Sequence, residues 1–456
     1  ACRALVQWAS EDAKGKGRPD PFPTQDYRGV EVHKAGEGGF AVEDQWLIYV
    51  NKGSLGKAIV DNLLDGGGQA LAGNKDFQAA RKDAPGEKSL WAYTDLNAIR
   101  DAGLAEELFA GKTENPGAEL IFGGIAEALK DTSRVIGSLD FADQGVSLSL
   151  AVPMDAAEAA KKRGFFFGPD GTGAAEKSLK PKGTLLSFTT YRDLSAMWLG
   201  ADELFNENQA AKLAQSETTL GLFFNGKDFG SEVLGQLGPQ VQFVLARQDF
   251  KAAGPPIPAV KYPAGALVFH AKEPESTQRY LRLAFQTIVG FINIQTTQKG
   301  MSPFELNNSK YGEATVISAD YFLSEEDRKD TAAKVQHNFS PAIAQVGDYF
   351  GLSSARQLAR DLVDALAGKS QPESIDANTR LHLDAGEIAG ILRENKGQLI
   401  ASNQLKKGQT EAEATGEISA IFALLDLFRD ASLELTTGNG QLGLNLNIGV
   451  AGGGSQ

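Results

Sequence analysis

A serine and a lysine three residues apart are the residues of this chain whose spacing most directly suggests chemistry. Ser54 and Lys57 match the pattern S-x-x-K. In acyl-transfer enzymes with this pattern, the serine begins a helix and the lysine one turn later acts as its base. The partner motifs S-D-N and K-T-G do not occur here. The plainer interpretation is a polar helix start with a solvated lysine, and a serine-dependent hydrolase is the alternative.

Three aspartates follow strand-like segments and directly precede helix-like ones. They are Asp95, Asp193 and Asp384. Carboxylates at strand ends can serve in acid–base chemistry or bind a cation. An aspartate just before a helix is also the expected N-cap, which stabilises the helix by about 1 kcal/mol. We predict that all three are caps.

The histidines and the cysteine suggest no metal site. His33, His270, His337 and His382 are scattered, and no pair has the spacing of metal ligands. The single cysteine, Cys2, excludes an intramolecular disulfide. The sequence therefore predicts no catalytic residue, no cofactor-binding residue, no metal ligand and no cofactor.

A glycine pattern near the end of the chain resembles a dinucleotide-binding motif. Residues 438–443 match G-x-G-x-x-G, but that site needs a helix to follow, so that its N-terminus faces the pyrophosphate. Here the following residues alternate as a strand. Asn439-Gly440 is a strong signal for a β-hairpin turn, which we predict instead.

Two aromatic runs need an interpretation. Residues 165–167 are three phenylalanines that follow a basic stretch, a composition compatible with a membrane interface. A buried strand explains them equally well, and we predict that they lie in the core. The run 222–224 has no basic residues before it and is predicted to be an ordinary strand.

The elements that would position these residues form a repeat. Residues 40–63 and 343–366 align at a constant offset of 303, and both predict a strand, a turn and an amphipathic helix. The aligned pairs include Ala41 with Ala344, Trp46 with Tyr349, Leu55 with Leu358, Val60 with Val363, Asp61 with Asp364 and Leu63 with Leu366. Ser54 and Ser354 are candidate N-caps, and Gln357 would complete a capping box with Ser354.

The flanks of the repeat agree with this alignment. A tyrosine strand precedes each copy, at Tyr27 and Tyr311, and strands ending at Asp95 and Asp384 follow. Both copies close with alternating strands, 146–152 and 442–448, typical of half-buried antiparallel pairs. The second copy also predicts strands near 241–246 and 265–271 and a helix near 275–292. This difference predicts that the chain begins inside a repeat and that an N-terminal portion is missing.

Composition shifts suggest the boundaries of these halves. We predict a first half at 1–155, a linker at 156–182, a second half at 183–451 and a disordered tail at 452–456. Loops rich in glycine and proline are expected at 11–26, 164–183 and 251–258.

Composition excludes some classes of function. The 456 residues are 42% hydrophobic and carry a formal charge of −13. A nucleic-acid surface needs a basic stripe, so we expect no nucleic-acid partner. No apolar run is long enough for a membrane helix, and we predict no integral membrane span. Ala1-Cys2 could be the remnant of a lipoprotein cleavage site.

With these elements in place, the chain resembles a bacterial family of exported proteins with duplicated α+β halves, known only as a domain of unknown function. The resemblance rests on the tyrosine strand, on the strand leading into residues 58–61, and on the strands ending at Asp95 and Asp384. It implies export, to the periplasm or the cell surface, and it carries over no functional residue.

The sequence thus predicts an α+β fold with curved, mainly antiparallel sheets, amphipathic helices on one face, and an internal duplication. Three classes of function stay open. The first is a non-catalytic exported protein that binds a protein or envelope partner or forms part of the envelope. The second is a carrier of an apolar ligand or lipid, and the third is the serine-dependent hydrolase.

Overall fold

The computed structural model describes residues 2–44, 46–66, 71–83, 86–109, 114–253, 256–298, 302–323, 325, 334–367 and 375–452. Two compact units divide the chain, Ala1–Asp83 and Ala84–Gln456. Residues 453–456 of the predicted tail and residues 254–255 of the loop predicted at 251–258 lie outside the described part.

The first unit is a four-stranded antiparallel sheet with one helix packed on it. Its sheet has the order β1-β2-β3-β4, and helix α2 follows β4 directly. The elements are α1 Cys2–Gly15, β1 Thr24–Tyr27, β2 Val30–Ala35, β3 Gly38–Glu43, β4 Trp46–Val50, α2 Gly53–Asp65 and α3 Lys75–Asp83. The loop predicted at 11–26 is shorter than expected, because α1 extends to Gly15 and β1 starts at Thr24.

The second unit contains the larger sheet and the remaining helices. Its strands are β5 Leu90–Asp95, β6 Arg134–Ala142, β7 Gly145–Pro153, β8 Thr184–Tyr191, β9 Leu237–Ala246, β10 Ala264–Ala271, β11 Phe304–Tyr311, β12 Ala314–Tyr321, β13 Ala342–Val346, β14 Tyr349–Ser353, β15 Thr379–Asp384, β16 Phe428–Gly438 and β17 Gln441–Val450. Its α-helices are α4 Leu96–Asp101, α5 Glu106–Phe109, α6 Pro116–Asp131, α7 Ala156–Phe167, α8 Leu194–Leu199, α9 Ala201–Leu204, α10 Glu207–Phe223, α11 Phe250–Ala253, α12 Pro274–Gln298, α13 Arg356–Leu366, α14 Ala385–Glu394, α15 Lys396–Lys407 and α16 Glu411–Leu425.

These strands form one antiparallel sheet of 13 strands, in the order β11-β12-β13-β14-β10-β9-β8-β15-β16-β17-β7-β6-β5. The α+β class with large antiparallel sheets is therefore confirmed. Within the described ranges, no helix combines the length and apolar character that crossing a bilayer requires.

Strands from both predicted halves meet inside this sheet. Strand β7 pairs with β17 along nine positions, from Gln441 opposite Pro153 to Gly449 opposite Gly145. The segment predicted as a linker, 156–182, is also packed into this unit, since it contains α7 and buries Ala175 and Leu179. The division of the chain into halves at 1–155 and 183–451 stays a prediction that rests on the sequence repeat.

Helices cover both faces of the β11–β14 part of the sheet, where the sequence predicted helices on one face. Val316 and Ile317 are neighbours on β12 and point to opposite faces, yet both are buried. Val316 packs in one cluster with Val363 of α13. Ile317 packs in another with Phe285 and Val289 of α12. Apolar residues at consecutive positions of β12 thus require cover on both sides.

Two predicted strands are helical. Phe165, Phe166 and Phe167 lie in the core, as predicted, but they form the end of helix α7. The run 222–224 ends helix α10 and its Leu222 is exposed. Short apolar runs do not separate a strand from a buried helix turn, which explains both errors.

The two aligned segments share one succession of elements. In each, four antiparallel strands lead into a helix, β1–β4 with α2 and β11–β14 with α13. A three-stranded meander follows in each, β5–β6–β7 and β15–β16–β17. The strands predicted near 241–246 and 265–271 and the helix near 275–292 are β9, β10 and α12. Descent of the two segments by duplication stays a prediction.

Candidate functional site

The Ser54–Lys57 pair lies at the start of helix α2. The helix begins at Gly53 with Lys52 as its N-cap, and no side chain caps it. Ser54 therefore occupies the first turn and is exposed, and the prediction that it is the N-cap was wrong. The Lys57 ammonium lies over the ring of Tyr27, 5.3 Å from its centroid. Within the described residues no hydrogen bond joins Ser54 to Lys57, so the pair is not arranged as nucleophile and base.

The cap predicted at Ser354 is also wrong. Helix α13 begins at Arg356 after Ala355, without a side-chain cap. The Ser354 hydroxyl instead accepts a hydrogen bond from the amide of Gly265 at 2.9 Å. The first amide of α13 donates to the hydroxyl of Ser340, which is distant in sequence. Gln357 donates to Asp361 rather than completing a capping box. A hydroxyl supplied by a residue outside the helix and its flanks has no local sequence signal.

A cleft lies between α2 and the sheet of the first unit. Its volume is about 460 Å³, and Ser54, Lys57 and Lys34 lie on its lining. The rest of the lining is largely apolar and includes Val32, Phe40, Ile48, Val50 and Val60. Such a site suits an apolar group with a negatively charged or polar end, because apolar walls and a few polar groups are what small-molecule sites combine.

One tyrosine–aspartate contact occurs in both aligned segments. The Tyr27 hydroxyl donates to Asp61 of α2 at 3.1 Å, and the Tyr311 hydroxyl donates to Asp364 of α13 at 2.7 Å. In the second segment the guanidinium of Arg360, which aligns with Lys57, lies over the Tyr311 ring at 5.5 Å. The contact fastens the first strand to the helix that follows the fourth.

Neighbouring groups shift the pKa of both tyrosines in this contact. Burial and the hydrogen bond to Asp61 raise the pKa of Tyr27, and the bond to Asp364 raises that of Tyr311. In the first segment Arg28 binds Asp61 and Asp65, each at 2.6 Å. Its hydrogen bonds lower the pKa of Asp65. Arg28, Asp61 and Asp65 are thus paired with one another, which favours a structural role for them.

The first segment exposes apolar side chains that its counterpart buries. Leu55 and Leu63 of α2 are 50% and 38% exposed, whereas the aligned Leu358 and Leu366 of α13 are 2% and 4% exposed. On the fourth strands, Trp46 and Leu47 are 58% and 56% exposed, whereas Tyr349 and Phe350 are 7% and 4% exposed. Tyr49 adds a further exposed ring at 75%. We call Trp46, Leu47, Tyr49, Leu55 and Leu63 the apolar surface of the first unit. Ile48 and Val50 pack with Val60 of α2, so Leu47 and Tyr49, which alternate with them along β4, lie on the opposite face of the sheet.

The predicted caps are present at all three aspartates. The carboxylate of Asp95 accepts from the amide of Ala98 at 3.0 Å, that of Asp193 from Ala196 at 3.0 Å, and that of Asp384 from Glu387 at 2.8 Å. Helices α4, α8 and α14 begin directly after them. Each carboxylate thus stabilises the start of a helix as its N-cap.

The glycine pattern at 438–443 is a hairpin turn, as predicted. Asn439 and Gly440 both have positive φ, 51° and 73°, and join β16 to β17. Two central residues with positive φ define the turn type that Asn-Gly favours. The following residues belong to a strand, so no helix N-terminus is presented there.

The histidines occupy separate environments. His33 stacks on Phe40 in the first unit. In the second, His270 contacts Tyr349, His337 contacts Tyr321, and His382 lies on β15. Among the described residues, no group of histidine, cysteine, aspartate and glutamate side chains could hold a metal ion. Cys2 begins helix α1.

A fully buried arginine is the main residue that the sequence did not indicate. Arg192 lies between β8 and α8, and its guanidinium packs on the ring of Phe166 at 3.4 Å. It donates to the carbonyls of Leu120 and Tyr191 and to the side chain of Asn378. Burial lowers its pKa. Nothing in the local pattern distinguishes Arg192 from an exposed arginine, because all its partners except Tyr191 are distant in sequence.

Helix α6 carries two buried acids beside this arginine. Glu119 and Glu127 both bind Arg163 of α7, which is itself buried. Burial raises the pKa of Glu119, and the charges of Arg163 and Arg192 oppose that rise. Buried acids with a raised pKa can mark a catalytic site. Here they are already engaged by an arginine within the core, which favours a structural role.

The second unit also has a cleft of about 700 Å³ with charged walls. Arg247 lies on it and pairs with Glu387 at 3.3 Å and with Glu394 at 3.8 Å. Asp361 lies on the same wall, and burial raises its pKa. Basic and acidic groups alternate around this cleft and neutralise one another, so it shows no preference for an ion of either sign.

Comparison with known proteins gave no match among protein-family models, curated proteins or solved structures.

Proposed function

We propose that this chain is a non-catalytic binding protein that engages a partner through the apolar surface of its first unit. The observation that carries this is the exposure of five large apolar side chains on strand β4 and on the helix after it, at Trp46, Leu47, Tyr49, Leu55 and Leu63. Large apolar side chains grouped at the surface of a folded protein mark interaction sites.

The contrast with the second aligned segment supports this proposal. The counterparts of Trp46, Leu47, Leu55 and Leu63 are buried there among other elements of the chain, whereas Leu352, the counterpart of Tyr49, is itself 41% exposed. In the second segment, other elements of the chain therefore pack on these apolar side chains. In the first unit the aligned side chains are also apolar but stay exposed.

The arrangement of the reactive groups favours binding over catalysis. Lys57 contacts Tyr27 instead of Ser54, and the three aspartates cap helices. A nucleophile needs a positioned base, and Ser54 has no such neighbour within the described part of the chain.

A carrier of an apolar ligand is the second candidate. It is favoured by the cleft beneath α2, with its apolar walls and with Lys34 and Lys57 on its lining. Native mass spectrometry of protein purified from its source tests it. A retained small molecule that is lost after Ser54→Trp, which adds a bulky side chain to the lining of the cleft, would support a carrier. An unliganded mass under gentle conditions would contradict it.

The proposed binding surface is tested by site-specific photocrosslinking in the source cells. A photoreactive residue at Tyr49 or Leu63 should give a discrete adduct. The same residue at Leu405, which is 87% exposed on α15 and lies outside the apolar surface, serves as the control. Adducts at all three positions, or at none, would contradict the proposal.

We also propose that the protein works outside the cytoplasm, which the resemblance to an exported family supports. Fractionation of source cells provides the test. Recovery of the chain with cytoplasmic markers would overturn it, and this outcome is independent of the binding proposal.

A further inference from the structure

We propose that the free edge of β4 and the leucine stripe of α2 together bind an antiparallel pair of β-strands from a partner, with alanine and valine facing the helix. The inference rests on the proposed function and specifies the partner. The argument uses the second aligned segment as the template for what covers the same elements.

The fourth strand differs between the two segments in its neighbours. Strand β4 pairs with β3 and is the edge of its sheet, whereas β14 pairs with β13 on one side and with β10 on the other. Natural edges are usually protected by charged residues, proline or bulges. Residues 46–50 contain neither charge nor proline, so β4 lacks the residue types that usually prevent strand addition at an edge.

The template also gives the register of the added strand. On β14, Tyr349, Gly351 and Ser353 lie opposite His270, Val268 and Ala266 of β10. The aligned residues of β4 are Trp46, Ile48 and Val50. An antiparallel strand in the same register would place its residues corresponding to 270, 268 and 266 opposite these three.

In the template, the leucines of the helix that follows the fourth strand pack with residues of two further strands. Leu358, Leu362 and Leu366 of α13 pack in one cluster with Ala264, Ala266 and Val268 of β10 and with Val244 and Ala246 of β9. The cluster that contains the leucines of α13 thus includes residues of β10 and β9. Leu55, Ile59 and Leu63 of α2 align with the three leucines of α13, and in the described part of the chain no strand pairs with β4 on its outer side.

Small residues on the added strands follow from this geometry. A helix packs closely on a sheet where alanine and valine face it, which leaves room for the leucines of the helix. The partner is therefore a two-stranded antiparallel segment with an edge that pairs with β4 and an Ala/Val face that meets Leu55, Ile59 and Leu63. One addition would pair the edge of β4 and cover Trp46, Leu55 and Leu63, whose counterparts Tyr349, Leu358 and Leu366 pack in the same template cluster.

A peptide hairpin built from the template tests the inference. Residues 240–246 and 264–270 joined by Asn-Gly would keep Ala246 opposite Ala264, as in the sheet, with a turn suited to a two-residue loop. Titration of the dye-labelled hairpin with the full chain, followed by fluorescence anisotropy, should saturate. N-methylation of the amides on the outer edge of the 264–270 strand should abolish binding, since that edge would pair with β4.

Two variants of the chain test whether the hairpin binds at α2 or at another surface. Leu63→Glu should weaken hairpin binding at least tenfold, since it places a charge in the Ala/Val contact. Leu405→Glu on α15 should bind like the unaltered chain. Circular dichroism checks that each variant is folded, and both changed side chains are exposed, so folding should be kept.

Three outcomes would overturn the inference. The hairpin does not saturate at about 1 mM chain; N-methylation has no effect; or the chain dimerises through this surface, so that Leu63→Glu yields monomers in sedimentation while no hairpin binds. Crosslinks at Tyr49 without hairpin binding would leave the proposed function standing and refute strand addition alone.

Discussion

At the scale of single residues, the aspartates that were candidates for chemistry are N-caps of helices. Asp384 lies at the end of β15 and its carboxylate caps α14. We expect Asp384→Ala to lower the free energy of unfolding by about 1 kcal/mol, whereas Asp384→Asn retains most of it, because an amide oxygen also accepts from the backbone. Urea denaturation measures both. Equal losses in the two variants would show that the charge, not the cap, is what matters.

Ser54 is the residue that decides between binding and hydrolysis. Since it caps nothing and is exposed, Ser54→Ala should change the free energy of unfolding by no more than about 0.5 kcal/mol. A fluorophosphonate probe should not label the chain. Labelling that disappears in Ser54→Ala would identify an activated serine and would overturn the binding proposal as stated.

His382 is expected to make stability depend on pH. It lies on β15 opposite Ser187 and Ser432, and burial together with the charge of Lys180 lowers its pKa from 6.5. Below that value the unfolded chain takes up the proton before the folded chain does. Stability is therefore complete above about pH 6.5 and falls as the pH decreases towards the folded pKa.

The measurement compares urea midpoints at about pH 7.5 and about pH 5.5 for the unaltered chain and for His382→Gln. The variant should lose less stability on acidification, because its side chain does not titrate. The same decrease in both would show that other groups, such as the carboxylates, account for it.

At the scale of elements, the two aligned helices provide a matched pair of substitutions. Leu358→Ala in α13 should destabilise the chain by about 2–5 kcal/mol, because it leaves a cavity in a packed cluster. Leu55→Ala in α2 should change stability by about 0.5 kcal/mol or less, since its side chain is half exposed. Thermal and urea unfolding measure the difference. Equal losses would mean that α2 is as well covered as α13.

The elements also show how far the sequence could be interpreted. The alternating patterns and the Asn439-Gly440 turn predicted antiparallel strands and a hairpin, because both signals are local. The helix at 165–167 was mistaken for a strand, since a short apolar run has no usable period. The cover on Leu358 and its absence on Leu55 could not be predicted, because both leucines have the same pattern and differ only in distant neighbours.

At the scale of the whole molecule, Arg192 joins segments that are far apart in sequence. Its guanidinium binds the Leu120 carbonyl of α6 and the side chains of Asn378 and Thr379. Arg192→Met should lower the free energy of unfolding by at least about 3 kcal/mol, since several buried acceptors lose their donor. Arg192→Lys should recover only part, because an ammonium has three donors and a different shape. A stability unchanged in Arg192→Met would refute this role.

The pairing of β7 with β17 has a consequence for how the chain folds as it is made. The Ser147 hydroxyl bonds Asn447 across these strands, 300 residues further along. At about 5–20 residues per second, synthesis of that interval takes about 15–60 s. During this time β7, with its alternating Val146, Leu148, Leu150 and Val152, presents an unpaired edge on the nascent chain. Protection of that edge during translation is therefore a requirement of this topology.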